Sequence, residues 1–223
     1  MKCDLHVHSY ASYDSISSPK NIIKEALKKG LDCIAITDHG EVKAFDEIKK
    51  YASSKGILVI KGIELKSDKG DIIGLNIKDK ISEGLSAQET IKRIKYQGGF
   101  VVIPHPFFKY YQFKEDLHHF LDDIDAIEIL NASISKSANQ KAFHFVVKNN
   151  LPFTAGSDAH SPSFIGEAYL EIPGDILSIE EVLVAIKNKK GKVVGKEINF
   201  FNMIKDRIIR NFAKVVNFLK IKN

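Results

Sequence analysis

Seven times along this chain a short apolar run gives way to a stretch with helical spacing, and that alternation limits the fold more than any other feature. KCDLHV (2–7) reads as a strand. Ser18-Pro19 then opens NIIKEALKKG with a good N-cap residue and a good first helical residue, and Gly30 stops the helix. LDCIAIT (31–37) is a continuous apolar strand of the fully buried kind. Residues 41–55 look helical, ILVIKGIEL (57–65) is the next strand, and GDIIGLNI (70–77) pairs back as another. SAQETIKRIKYQGG (86–99) is a helix with Ser86 and Glu89 at capping-box spacing. FVVIP (100–104), a shorter helix near 114–122, DAIEIL (125–130) and a helix over 135–150 follow. PFTAGSD, EAYLEI (167–172) and a helix over 178–190 complete the series. Such alternation predicts an α/β fold with parallel strands, able to close into a barrel.

The 223 residues, 44% apolar and 27% charged, suit one domain with an appendage: a barrel over 1–196 and a basic amphipathic C-terminal helix over 197–223. No apolar run approaches the roughly 20 residues that span a bilayer. Asp4 and His6 interrupt any signal-peptide pattern, so the expected location is cytoplasmic, with no membrane partner. Cys3 and Cys33 sit in apolar strands without CxxC spacing, which predicts reduced, buried thiols. The net charge of +5 is uneven, because residues 197–223 carry six basic residues, Lys222 among them, against Glu197 and Asp206. Apolar residues recur through that tail near helical spacing, including Ile204, Ile208, Phe212, Val215 and Leu219. The simplest expectation is an apolar face packed on the barrel and a solvated lysine face; a nucleic-acid contact and a subunit interface are the alternatives.

The polar residues at the strand ends carry the chemistry. Asp4, His6 and His8 alternate with Cys3, Leu5 and Val7, which places the polar three on one strand face. A solvated edge strand would show the same pattern, and so would a metal site. Asp38-His39-Gly40, Glu64, His105-Pro106 and Asp158-Ala159-His160 each follow another apolar strand. Five of the eight histidines fall at such positions. In a parallel barrel all strand C-termini meet at one mouth. Taken singly, His39 reads as a turn residue, Glu64 as solvated and Asp158 as a helix cap. Taken together, converging carboxylates would repel and lose their solvation, and divalent cations relieve both. One ion takes three or four protein ligands, so about eight candidates imply two or three ions of Mn, Zn or Fe. His118, His119 and His144 read as structural or solvated.

As an ordered set, DLHVHS, TDHG, GIE, the HP after an apolar strand, and SDAH resemble the PHP (polymerase and histidinol phosphatase) family from residue 2 to about 172. The resemblance implies a distorted (β/α)7 barrel with a trinuclear metal site at the C-terminal strand ends, and phosphoester hydrolysis. By position, His6 and His8 would hold a first metal with Asp158 and a bridging Glu64. Asp14, in SYASYDS, would serve a second with His39 and His160, and His105 a third with Glu64. Asp4 and Asp38 would orient imidazoles. Many members place a His or Cys ligand where this chain has Asn131, a poorer ligand expected to contact the third metal or the substrate, so the third metal would be weakly held or completed by substrate or water.

The implied reaction is attack on phosphorus by a metal-activated hydroxide, with His39, Asp158 and His160 as the catalytic groups. The substrate would be a phosphorylated small molecule or a nucleic-acid end. The aromatic loop PFFKYYQF (106–113) would stack a base or pack as a lid, with Lys109 as a substrate contact. Arginine is sparse (Arg93, Arg207, Arg210), so no bidentate phosphate clamp stands out. The C-terminal helix also offers a route to a homo-oligomer. Two other classes fit part of the pattern. One is an amidohydrolase-like C–N hydrolase, because DxHxH occurs there too. The other is a non-catalytic, metal-stabilised interaction module.

Overall fold

Strand and helix alternate in three dimensions as the periodicity predicts, around one nine-stranded sheet curled into a nearly closed barrel. The structure, a computed structural model, describes residues 1–221; Lys222 and Asn223 of the expected basic tail lie outside the described residues. The first half contains β1 (Lys2–Val7), α1 (Pro19–Lys28), β2 (Cys33–Ile36), α2 (Phe45–Ser53), β3 (Leu58–Lys66), β4 (Asp71–Leu75), α3 (Ala87–Tyr96) and β5 (Phe100–Ile103). The second half contains β6 (Ala126–Asn131), α4 (Lys136–Lys148), β7 (Phe153–Gly156), β8 (Ala168–Glu171), α5 (Ile179–Lys187), β9 (Lys192–Gly195) and α6 (Phe200–Ile221). The strand order is β7-β6-β5-β4-β3-β2-β1-β8-β9.

Four of the eight strand pairs are parallel (β1–β2, β2–β3, β5–β6 and β6–β7), while β4 runs antiparallel to both β3 and β5, and β8 to both β1 and β9. Only four residues separate β3 from β4, too few for the crossover that a parallel pair requires. The loop after β7 closes the curl against β1: Asp158 N–H donates to His6 O (2.8 Å) and His8 N–H to Ala159 O (3.0 Å). At this seam Gly156 packs so tightly that an added Cβ would stand 2.4 Å from His6 Cβ. The helix expected near 114–122 is only a 3-10 turn, Leu117–Phe120. Strand β9, four residues between lysines and glycines, carries too little apolar signal to be foreseen.

Three apolar clusters hold the barrel. One gathers Cys3, Leu5, Ala35, Ile60, Val102 and Ala126 and is plugged by Val182, Ala185 and Ile186 of α5. A second joins Val7, Ile34 and Ile36 to α1 and α2, and a third joins β3, β5 and β6 to α3 and α4. Along β3 the side chains sharing one face run Ile60, Gly62, Glu64, and along β6 Ala126, Glu128. Apolar residues therefore fill the bottom of the barrel, and carboxylates follow towards the strand C-termini.

The strict alternation expected for β1 does not hold. Cys3 and Leu5 pack in one cluster and Val7 in another, because the register against β2 slips between Asp4 and Val7. Such an irregularity re-aims side chains. Asp4 accepts from Ser157 N (2.9 Å), Ser157 Oγ (2.6 Å) and Gly166 N (2.9 Å), away from the imidazoles, while His6 and His8 meet at the mouth.

Helix α6 also reverses an expectation. Asp206 and Ala213 are buried, and Arg210 and Asn217 bond to loops at the mouth. Ile204, Ile208, Phe212, Val215 and Leu219 are exposed. Amphipathic spacing identified two faces, but the face that docks is a mixed one, Asp206, Arg210 and Asn217 with Ile209, Ala213 and Val216, because the surface beneath it is the polar mouth rather than an apolar layer. Among the described residues no helix is long and apolar enough to cross a membrane.

Candidate metal centre

Each strand entering the mouth delivers one or two polar side chains. His6 and His8 come from the end of β1, His39 from the turn after β2, Glu64 from β3, His105 from the turn after β5 and Glu128 from β6. Asp158 and His160 come from the turn after β7, and Asp14 from the loop after β1. All except His39 are buried, and His39 is only 20% exposed at its side chain. His105 and Asp158 hold positive φ angles of 33° and 50°, a conformation that costs free energy for a non-glycine residue and tends to occur where function demands it.

Three sets of donor atoms lie close enough to share an ion: His6–His8–Asp158, His8–His39–His160 and His6–Glu64–His105, the atoms within each set all lying within 4.8 Å of one another. Asp14 Oδ1 adjoins the second set, 3.3 Å from His160 Nε2 and 3.6 Å from His39 Nε2. All eight residues expected as ligands (His6, His8, Asp14, His39, Glu64, His105, Asp158 and His160) therefore converge.

The hydrogen bonds around the imidazoles fix which nitrogen faces the centre. Ser9 Oγ and Ser12 Oγ donate to Asp38 (2.5 and 2.7 Å), which leaves Ser12 Oγ to accept from His8 Nδ1–H (3.0 Å). Asp38 thus orients His8 at one remove, through a serine. His6 Nδ1–H donates to Glu128 Oε1 (3.1 Å), and His160 Nδ1–H to the Asp158 carbonyl (3.1 Å). With their Nδ1 protons committed, His6 and His8 turn Nε2 lone pairs towards each other at 3.1 Å. Two lone pairs at that distance call for a proton or a metal ion between them.

Two further atoms point the same way: Asp14 Oδ1 and His105 Nδ1 are buried without a hydrogen-bond partner. Neutral imidazoles and carboxylates are the donor set of Zn, Mn and Fe. The residues present therefore fit a divalent-metal centre.

Protons compete for the same place. Burial opposes a charge on His6, yet Asp158, Glu128 and Glu64 lift its pKa well above the ordinary value. His105, despite its burial, is raised to about 9 by its hydrogen bond and charge contact with Glu64. Burial, then His160 and His39, push His8 well below its usual value. Burial would raise Glu64 and Asp158, but His6 in both cases, joined by His39 and Arg210 respectively, holds them well below the carboxylate range.

Asn131 spends both ends of its amide on protein. Its NH2 donates to Glu128 Oε2 (2.9 Å) and Asp158 Oδ2 (3.3 Å), and its Oδ1 accepts from Ser133 N (2.9 Å). It braces two carboxylates in place of contributing an oxygen. Lys109 is exposed on the aromatic loop, and its neighbours Phe108, Tyr110 and Tyr111 line the adjoining cavity. His119 and His144 are exposed, and His118 packs against Phe145, away from the mouth.

Three participants were not anticipated. Glu128 lay inside DAIEIL, where it reads as the polar residue of an alternating strand. Ser12 lies in SYASYDS, a loop whose sequence singles out no serine. Arg210 lay in a helix assigned to packing. A buried charge facing a cluster from another element is a tertiary fact, and only Glu128, an acid within an apolar strand, left any trace in the sequence.

Residues 4–155 match the PHP domain family, and residues 136–190 the PHP-associated family. An uncharacterised protein of Methanocaldococcus jannaschii is 39% identical over 142 residues, covering 59% of this chain and 82% of that protein. A 5′-3′ exoribonuclease of Haemophilus influenzae is 36% identical over 90 residues, which is 39% of this chain and 32% of the nuclease. Among solved structures, a two-domain protein from Bacteroides vulgatus containing a predicted PHP-like metal-dependent phosphoesterase superposes with a TM-score of 0.77. It shares 22% identity over 92% of this chain and 68% of that one, a likeness of fold.

Proposed function

The chain belongs to the PHP domain family, and from that premise we propose that it is a metal-dependent hydrolase of phosphoric esters. The observation that carries this reading is the set of three donor triads, linked through His6 and His8, at the mouth of the barrel. His6, His8, Glu64 and Asp158 would hold a first ion, Asp14, His39 and His160 a second, and His105 with Glu64 a third. When bound, two or three Mn, Zn or Fe ions supply Lewis acidity, which lowers the pKa of water and offsets charge on a phosphoryl group.

The protein's own part is orientation and proton placement. Glu128 and Ser12 hold His6 and His8 in the tautomer that presents Nε2. Asp38 fixes Ser12, and Asp4 locks the Ser157 turn that carries Asp158. Asp158 lines the cavity with His160 against it (3.4 Å), and its carboxylate, held ionised, is the group placed to accept a proton beside the reacting phosphoryl group.

The finer substrate assignment is a phosphomonoester or the end of an oligonucleotide. The exposed aromatics Tyr110 and Tyr111 beside Arg207, Arg210 and Lys214 support either, and the similarity to an exoribonuclease supports the second. A parallel assay with Mn present separates them. It would compare phosphate release from nucleoside and sugar monophosphates with shortening of an end-labelled oligonucleotide, using Asp158→Asn as the blank. Turnover of one substrate set identifies the class, and turnover of neither in the wild type overturns the reading.

A further inference from the structure

Helix α6 reaches the metal-ligand cluster with one side chain, Arg210. Its Nε donates to Asp206 Oδ2 (2.6 Å), its Nη1 lies 3.2 Å from His160 Nε2, and its Nη2 donates to the Asp158 carbonyl (3.2 Å). The side chain is one-fifth exposed, and its guanidinium lines a cavity of about 540 Å³. A guanidinium has five N–H donors; Asp206 and the Asp158 carbonyl engage two, and a metal ion on His160 Nε2 would displace the third contact. At least two donors remain beside the ligand cluster, on the forked group best matched to two oxygens of one phosphoryl group.

The cavity runs from His105 and Asp158 out between α6 and the 106–113 loop. Arg207 and Lys214 line it on the helix side, and Phe108, Tyr110 and Tyr111 on the other.

The docking of α6 is itself directed at the site. Asn217 donates to the Tyr13 carbonyl (3.0 Å), Lys214 lies over the Tyr13 ring at 5.6 Å, and Asp206 is buried where it holds Arg210. These contacts fall on the loops that carry Asp14 and Asp158. A helix recruited for core packing would have turned Ile204, Ile208, Phe212, Val215 and Leu219 inward, and this one leaves them exposed.

We propose that Arg210, brought to the metal-ligand cluster by α6 and held by Asp206, positions non-bridging phosphoryl oxygens of the substrate, with the leaving group lying between α6 and the aromatic 106–113 loop. This rests on the phosphoesterase reading and assigns α6 to the substrate site. Arg210 is a positioning residue that meets a phosphoryl group directly, and Asp206 acts through it.

The test uses the full-length, Mn-loaded protein and inorganic phosphate as the probe, titrated by calorimetry, with metal content measured for every sample. Arg210→Ala is expected to weaken phosphate binding at least tenfold at unchanged metal content, with partial rescue by added guanidinium ion. Arg210→Lys should fall between it and the wild type, and Lys205→Ala, exposed on the same helix, should match the wild type within twofold. With p-nitrophenyl phosphate, KM should rise for Arg210→Ala in step with the loss of phosphate affinity.

Phosphate affinity within twofold of wild type in Arg210→Ala, or an equal loss in Lys205→Ala, overturns the proposal. So does a loss that tracks metal content, which would make Arg210 a support for Asp158 and His160. If Arg210→Ala fails to fold, Arg210→Lys decides: a threefold or greater loss supports the proposal and none overturns it. A wild type that cleaves esters but is indifferent to Arg210 removes this inference and leaves the phosphoesterase reading standing. Arg210-dependent phosphate binding without ester cleavage does the reverse.

Discussion

On the strand side of the pocket, His6, His8 and His160 each have Nδ1 tied to a specific oxygen, and none of the three is exposed. On the opposite side, Tyr110 is 75% exposed and Tyr111 53%, and the polar helix residues between them and the barrel work through one anchored arginine. The strand side holds groups whose positions must be set to fractions of an ångström before anything binds. The opposite side holds groups that meet a ligand arriving from solvent. Rigidity is concentrated where charge has to be gathered, since several carboxylates and imidazoles converge there away from water.

Perturbing each side tests that contrast. The largest effect belongs to the strand side: Glu64 contacts His6, His8, His39 and His105. Glu64→Gln should cut phosphoesterase kcat/KM on the order of 10³-fold or more, because it removes a charge shared between ligand sets. Steady-state kinetics with metal analysis checks this, and a loss under tenfold would break the contrast.

Next is the seam beneath the site. Gly156→Ala forces a methyl group to 2.4 Å from His6 Cβ. It should cost about 3 kcal/mol, the upper range for overpacking, which corresponds to a drop of roughly 6–12 °C in Tm for a chain of this size. A melting curve of the metal-free protein reads it without help from bound ions.

Glu128→Gln keeps the shape of the bracket on His6 but weakens it. Metal affinity should fall about 10–100-fold, the usual cost of losing a partner of a ligating histidine, as measured by competition with a chromogenic chelator. Ser12→Ala removes a weaker bracket and should cost about 1 kcal/mol in the same measurement.

The smallest effect is expected opposite. Tyr110→Ala should change KM by about threefold or less for a small monophosphate. For an oligonucleotide end the loss should be greater, because base stacking contributes about 1–3 kcal/mol per base. A tenfold effect on the small substrate would show that this wall is as exacting as the strand side.

The same division governs what could be read from the chain. Each ligand of the strand side follows an apolar run, so its place at a strand end is a local property, and parallel strands bring such ends to one mouth. His6, His8, His39, Glu64, His105, Asp158 and His160 could therefore each be placed at a strand end, though only together did they read as a metal site. Asp14 came through the family resemblance. Asp4 was misdirected, because the slip in β1 against β2 depends on the neighbouring strand. The bulge turns Asp4 to the Ser157 turn, where burial raises its pKa to about 6 against the bonds from Ser157 and Gly166.

The opposite wall was hardly legible. The tail's spacing announced a two-faced helix, and the ordinary inference buried the apolar face. The structure docks a mixed face through Arg210 and Asn217, on loops separated from it by up to 205 residues of chain. Alternation of strand and helix and the placing of polar residues at strand ends follow from periods of two and 3.6 residues, which each stretch of sequence carries within itself. The tautomer set by Glu128, the slip at β1 and the arrival of Arg210 at Asp158 depend on which surfaces meet. Those contacts are made between residues far apart along the chain, and no local period encodes them.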